Sequence, residues 1–170
     1  GDGIFLVYSS NNDLFTNVVT KNKGGIRLMS SNENNISKNV VTSDLLGGIY
    51  LFYSSHNSLF ENVICYNMHY GLNLDYSSDI NMIADNVMTG NLEYGLVVGS
   101  VSGNILRNNS MTDNQFNFYA ILSRPTLSDY LNDIDSSNLV NGREVQYIIS
   151  GKNLVIDSAS YPNVGYLALV

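Results

Sequence analysis

The sequence predicts an all-β protein, a right-handed, single-stranded parallel β-helix of about five coils, each 22–24 residues long, with asparagine ladders. Two periodicities predict it. A glycine followed by alternating apolar residues recurs at Gly3-Ile4-Phe5-Leu6, Gly25-Ile26-Arg27-Leu28, Gly48-Ile49-Tyr50-Leu51, Gly71-Leu72-Asn73-Leu74 and Gly95-Leu96-Val97-Val98, in steps of 22, 23, 23 and 24. A weaker sixth start, Phe118, lies 23 residues beyond Gly95. Within each repeat asparagine returns every five residues: Asn12, Asn17, Asn22; Asn34, Asn39 and Asp44; Asn57, Asn62, Asn67; Asn81, Asn86, Asn91; Asn104, Asn109, Asn114. Fourteen of the fifteen positions hold Asn, and the exception is Asp, its isostere.

Each element follows from this pattern. The glycine-led run alternates with period two, the mark of a strand with one buried face. Two residues after each leading Asn stands an apolar residue (Leu14, Ile36, Leu59, Ile83, Leu106), and two after each middle Asn another (Val19, Val41, Ile64, Met88, Met111). Five residues make a short strand and a bend, so three strands close one coil. Stacking places equivalent residues about 4.8 Å apart, where Asn amides can bond from coil to coil. Asn also tolerates left-handed backbone at bends. Helical repeats are excluded, because they are longer and need a 3.6-residue period that five-residue Asn spacing does not follow.

Domain organisation follows. Residues 1–120 form the coils, 121–164 a long excursion packed on the outside, and 165–170 the start of a further coil. The open ends expose unpaired strand edges, so self-association through the solenoid ends is expected.

Composition agrees with a folded chain. Only 14% of residues are charged, against about 25% in soluble domains, but 12 Tyr and 6 Phe oppose a disordered reading. The net charge of −7, without a basic stripe, argues against nucleic acid. No apolar run reaches membrane-span length. No signal peptide precedes Gly1, which reads as a processed chain or a window from a longer one. The single cysteine, Cys65, precludes an internal disulfide framework.

The Gly-Ile-x-Leu and Asn-x-Ile-x-x-Asn cadence over residues 3–120 resembles the NosD-like, carbohydrate-binding-and-sugar-hydrolase class of β-helix repeats. The tail, Asp133-Ile134-Asp135-Ser136-Ser137-Asn138-Leu139-Val140-Asn141-Gly142 with Val145-Gln146-Tyr147, resembles an excursion found in archaeal surface β-helix proteins. That excursion returns to a Gly-Tyr-x-x-Leu coil, which Gly165-Tyr166-Leu167-Ala168-Leu169-Val170 resembles. The resemblance implies an extracellular or cell-surface location. It does not select among lyases, hydrolases, epimerases, binding modules and stalks.

Candidate chemistry is sparse. Glu61 and Asp85 share the coil position before the middle Asn, with Lys38 one coil away, the best catalytic or calcium-binding candidates if carboxylates are to act in pairs. The competing reading is a solvated bend of mixed charge. Metal candidates are His56, Cys65, Met68 and His69, soft and imidazole ligands that suit copper; Cys65, however, occupies a position held by Thr in the other repeats. No cofactor is expected. Phe5, Tyr50 and Phe52 point outward if Ile49 and Leu51 point inward. Tyr8, Tyr53 and Tyr76 follow near the next bend, facing in or out according to where it falls. Such a strip can stack sugar rings, be covered by the tail or a partner, or stay inert. Two glycosylation sequons lead from Asn35 and Asn108, at outward positions. The favoured reading is a non-enzymatic surface scaffold contacting carbohydrate or copies of itself. A polysaccharide lyase or hydrolase is the first alternative, and copper handling the second.

Overall fold

The computed structural model describes residues 1–121 and 126–170. The first coil comprises β1 (Asp2–Val7), β2 (Asp13–Phe15) and β3 (Val18–Thr20), and the second β4 (Gly24–Met29), β5 (Asn35–Ser37) and β6 (Val40–Thr42). The third holds β7 (Ile49–Phe52), β8 (Ser58–Phe60) and β9 (Val63–Cys65), and the fourth β10 (Tyr70–Asp75), β11 (Met82–Ala84) and β12 (Val87–Thr89). The fifth has β13 (Tyr94–Gly99), β14 (Ile105–Arg107) and β15 (Ser110–Thr112), and the sixth β16 (Phe116–Ile121), β17 (Asp133–Ile134) and β18 (Leu139–Val140). β19 (Arg143–Ile148) and β20 (Val164–Leu169) complete the chain. Corresponding strands stack in parallel into three sheets, β1-β4-β7-β10-β13-β16 (sheet A), β2-β5-β8-β11-β14-β17 (sheet B) and β3-β6-β9-β12-β15-β18-β19-β20 (sheet C). The result is a right-handed solenoid with six three-strand coils and two further strands on sheet C, more than the five coils expected.

The interior is built by register. Each coil sends two apolar side chains inward from sheet A and one each from sheets B and C; in the third these are Ile49, Leu51, Leu59 and Ile64, all fully buried. Gly48 opens that coil because of a close approach: a Cβ there would lie 2.3 Å from Ile64 Cγ2 and 2.9 Å from the Asn67 amide.

Asparagine ladders run along all three corners. Asn39 donates its backbone N–H and its Nδ2 to Asn62 Oδ1, both at 3.0 Å, and Asn62 repeats this onto Asn86 at 3.0 and 2.9 Å. The second Nδ2 hydrogen goes to a core-strand carbonyl, as from Asn62 to Ile36 at 2.8 Å. In the first five coils left-handed backbone falls on the residue before the ladder Asn, not on the Asn itself: Thr16, Lys38, Glu61, Asp85 and Asn108 along one corner have φ between 52° and 58°. Their N–H groups bond to the next coil, as from Glu61 to the Ala84 carbonyl at 3.2 Å. The bend costs each non-glycine residue about 1–2 kcal/mol, and inter-coil bonding holds it. A serine ladder joins these, with Ser9, Ser31 and Ser54 each donating a backbone N–H to the next coil's Ser31, Ser54 and Ser78 hydroxyls.

The segment expected to lie outside the helix, 121–164, departs from that reading where it is described; residues 122–125 lie outside the described residues. β17 and β18 re-enter sheets B and C, with Ile134 and Val140 in the core. Asn132 and Asn138 continue two ladders, receiving Asn104 Nδ2 at 3.0 Å and Asn109 Nδ2 at 2.8 Å. The ladder steps here are 28 and 29 residues, and an insertion carrying a short 3-10 turn, Leu127–Tyr130, breaks the period. β19 turns back antiparallel to β18, and β20 pairs parallel with β19. The final strand thus extends sheet C rather than starting a coil on sheet A. Val145, Tyr147 and Tyr166 pack against the last coil's interior, with Tyr166 edge-on to Phe118 at 4.8 Å.

Candidate functional site

Sheet A offers the widest outer face, because its longer strands present three outward rows. Backbone register aligns Asp2, Gly24, Tyr70, Tyr94 and Phe116 along one edge; Phe5, Arg27, Tyr50, Asn73, Val97 and Tyr119 in the middle; and Val7, Met29, Phe52, Asp75 and Gly99 along the other. The bend residues Tyr8, Tyr53 and Tyr76 all face outward, 82%, 48% and 46% exposed, on left-handed backbone. The described strands of the tail, β17–β20, pair at the far end of the stack, beyond β14 and β15.

The rings form two islands. In the first, Tyr50 touches Phe52 and Tyr70, with centroids at 6.0 and 5.7 Å, and Phe52, Tyr53 and Tyr76 contact one another at 4.6–5.8 Å. In the second, Tyr94 stacks on Phe116 at 5.4 Å and meets Tyr119 at 5.1 Å. Tyr70 lies back over Gly47, where a Cβ would sit 2.0 Å from its ring, while its register partner Tyr94 leans onto the following coil. The islands therefore diverge across Asn73, Asp75, Val97 and Gly99.

Polar groups are set among the rings. Arg27 pairs with Asp2 at 3.5 Å and lies over the Phe5 and Tyr50 rings at 5.6 and 5.8 Å. Asp75 accepts the Tyr76 backbone N–H at 2.9 Å and the Tyr50 hydroxyl at 3.5 Å. Burial raises the Asp75 carboxyl above its ordinary range, opposed by the bonds from Tyr76 and Tyr50. Burial likewise pushes the Tyr70 hydroxyl up to about 12, against the Arg27 charge, and raises Tyr50, where Asp75 adds to the shift. Asn73 Oδ1 is buried without a hydrogen-bond partner. Such a face can stack on the apolar faces of sugar rings and accept hydroxyl hydrogens at its rim.

The other sequence candidates lie elsewhere. Glu61 and Asp85 occupy the exposed bend between sheets B and C, and Glu61 is paired with Lys38 at 3.4 Å. Asn35 points outward from β5 and donates to Asp13 Oδ1 at 3.1 Å. Asn108 sits on a bend, its backbone N–H bonded to the Ser137 hydroxyl at 2.8 Å. The possible copper ligands are spread over different parts of the coil. His56 stands on the bend after β7, and Cys65 is buried in sheet C between Thr42 and Thr89. Met68 and His69 follow β9, and His69 Nδ1 contacts Glu93 at 3.1 Å. Among the described residues, no group of three or more His, Cys, Asp or Glu could hold a metal ion. His56, Cys65 and His69 therefore do not converge on one metal site. No helix among the described residues is long and apolar enough to cross a membrane.

A family model described as "Periplasmic copper-binding protein (NosD)" matches residues 1–155. No curated protein matches the sequence. Crystal structures of the periplasmic alginate epimerase AlgG are similar to the chain. One is 20% identical with a TM-score of 0.70, covering 82% of this chain and 35% of that one. Its D317A mutant is 21% identical with a TM-score of 0.71, at the same coverage. The chain thus spans about a third of the epimerase's length, and at this identity the likeness is one of fold.

Proposed function

From the premise that the chain belongs to the NosD family, we propose that it is a β-helix module working in the periplasmic or extracellular space, where it binds polysaccharide along the outer face of sheet A without turning it over. The observation that carries this reading is the pair of aromatic islands, which are partly exposed and set around Arg27, Asp75 and Asn73. Aromatic faces bind the apolar faces of sugars, and polar groups at their edges fix orientation. Phe5, Tyr50, Phe52, Tyr53 and Tyr76 are the contact residues in this reading. The periplasmic wording of the family description and the fold likeness to a periplasmic polysaccharide-modifying enzyme support the compartment and the ligand class. The absence of turnover rests on the remote acid–base candidates, since Glu61 is engaged by Lys38 on an exposed bend.

One observation favours catalysis instead. Asp75, raised by burial and touching the Tyr50 hydroxyl beside Arg27, has the elements of an acid–base site. A panel of polysaccharides assayed for binding, and in the same wells for reducing ends and unsaturated products, separates the readings. Binding without product, weakened by Tyr76→Ala, is the expected result. Product formation lost in Asp75→Asn would replace the binding-module reading with the enzyme.

A further inference from the structure

The charge pattern of sheet A bears on which polysaccharide can lie there. Across the three outward rows the charged residues are Asp2, Arg27 and Asp75. Arg27 is the one cation among these described positions, and Asp2 already neutralises it at 3.5 Å. Asp75 is left as the single charge without an ionic partner in the rows. A polyuronate carries a carboxylate on every ring, and each would need a cation of its own. Here it would meet one guanidinium that already holds a carboxylate, a second carboxylate at Asp75, and a chain of net charge −7. Like charges brought together at an interface repel and select against that partner. An amino polysaccharide repeats the problem with opposite sign, because one half-buried carboxylate cannot neutralise an ammonium on every ring.

Hydroxyls fit better. Asp75 has about four lone-pair positions, of which the Tyr76 N–H and the Tyr50 hydroxyl use two. The remainder can accept sugar O–H groups singly. The rings extend from β7 in the third coil to β16 in the sixth, three coil steps or about 14 Å. That is a track for a chain of sugars rather than a seat for one.

Resting on the reading that this face binds polysaccharide, we infer that its ligand is a neutral polysaccharide, a chain of hydroxyl-bearing rings without carboxylate or ammonium groups, lying across Asp75 between the two aromatic islands. Binding then depends on stacking and hydroxyl hydrogen bonds, so it is insensitive to salt.

The test titrates the purified chain with hexasaccharides of three kinds: neutral gluco-, manno- and galacto-oligomers, oligouronates, and chitosan oligomers. The expected result is binding of at least one neutral oligomer at least tenfold tighter than any charged one, with an affinity that changes less than twofold between 50 and 500 mM salt. Asp75→Asn lowers the neutral affinity several-fold and narrows the gap to the uronates. Oligouronates or chitosan binding tenfold tighter than every neutral oligomer would overturn the inference and leave the glycan-binding reading standing. A gap unchanged in Asp75→Asn would overturn the charge argument. If no oligomer binds a chain shown folded by its circular dichroism and thermal melt, the glycan-binding reading falls and the inference with it.

Discussion

Asp44 occupies a column otherwise filled by asparagine, and the difference is one hydrogen. Its Oδ1 accepts the Asn22 N–H at 2.7 Å, and its own N–H reaches Asn67 Oδ1 at 3.0 Å. Where Asn would send an Nδ2–H up the ladder, Asp44 Oδ2 is buried without a partner. Burial raises its carboxyl above the usual range, against the Asn22 hydrogen bonds. A carboxyl raised in the folded state binds its proton more tightly there than in the unfolded chain. Its contribution to stability is therefore greatest at low pH, falls as pH rises from about 3.9 through the raised folded value, and levels off above it. Asp44→Asn restores the missing donor. It should stabilise the fold at pH 7 by about 1–2 kcal/mol and abolish that fall, as read by chemical denaturation across pH. The column itself was legible in the sequence, because it needs one side chain at fixed spacing. The left-handed bends were not: Thr16, Lys38, Glu61 and Asp85 share no chemistry, and the stack imposes their backbone.

Strands of three residues hold only because the sheets continue them from coil to coil, so the cost of a substitution depends on the face. Leu51, fully buried in β7, should lose about 2–5 kcal/mol on truncation to Ala. Tyr53→Ala, on the bend after the same strand, should cost less, about 0.5–1.5 kcal/mol for its ring contacts with Phe52 and Tyr76, and urea denaturation of the two variants distinguishes them. The outward rows of sheet A were half legible. Alternation about Ile49 and Leu51 exposed Tyr50 and Phe52, but Tyr70 and Tyr94 precede their glycines and fall outside that pattern. Asp75 has no acidic mates at its coil position, so its environment arises from Tyr50 and Tyr76 rather than from repetition. The sixth coil was hidden for a related reason. Asn132 and Asn138 follow their ladder predecessors at 28 and 29 residues, outside the 22–24 that revealed the others.

A solenoid is stabilised by neighbours along one axis, and its stability is graded along that axis. The third and fourth coils have ladder bonds on both sides, whereas residues 151–160 are exposed throughout. Amide exchange should be slowest in β7–β12 and fastest in 151–160; uniform protection along the chain would contradict nearest-neighbour stacking. On the same scale, three sheets offer three outer faces, and the proposed glycan binding falls on one of them. The most direct test is calorimetric titration of one tightly binding oligosaccharide into the wild-type chain, the Tyr53→Ala/Tyr76→Ala variant of the sheet A rim, and Phe15→Ala, an exposed aromatic on sheet B. Binding on sheet A predicts at least a tenfold loss of affinity in the first variant and none in the second. Equal affinity in all three proteins, or a loss confined to Phe15→Ala, would contradict it.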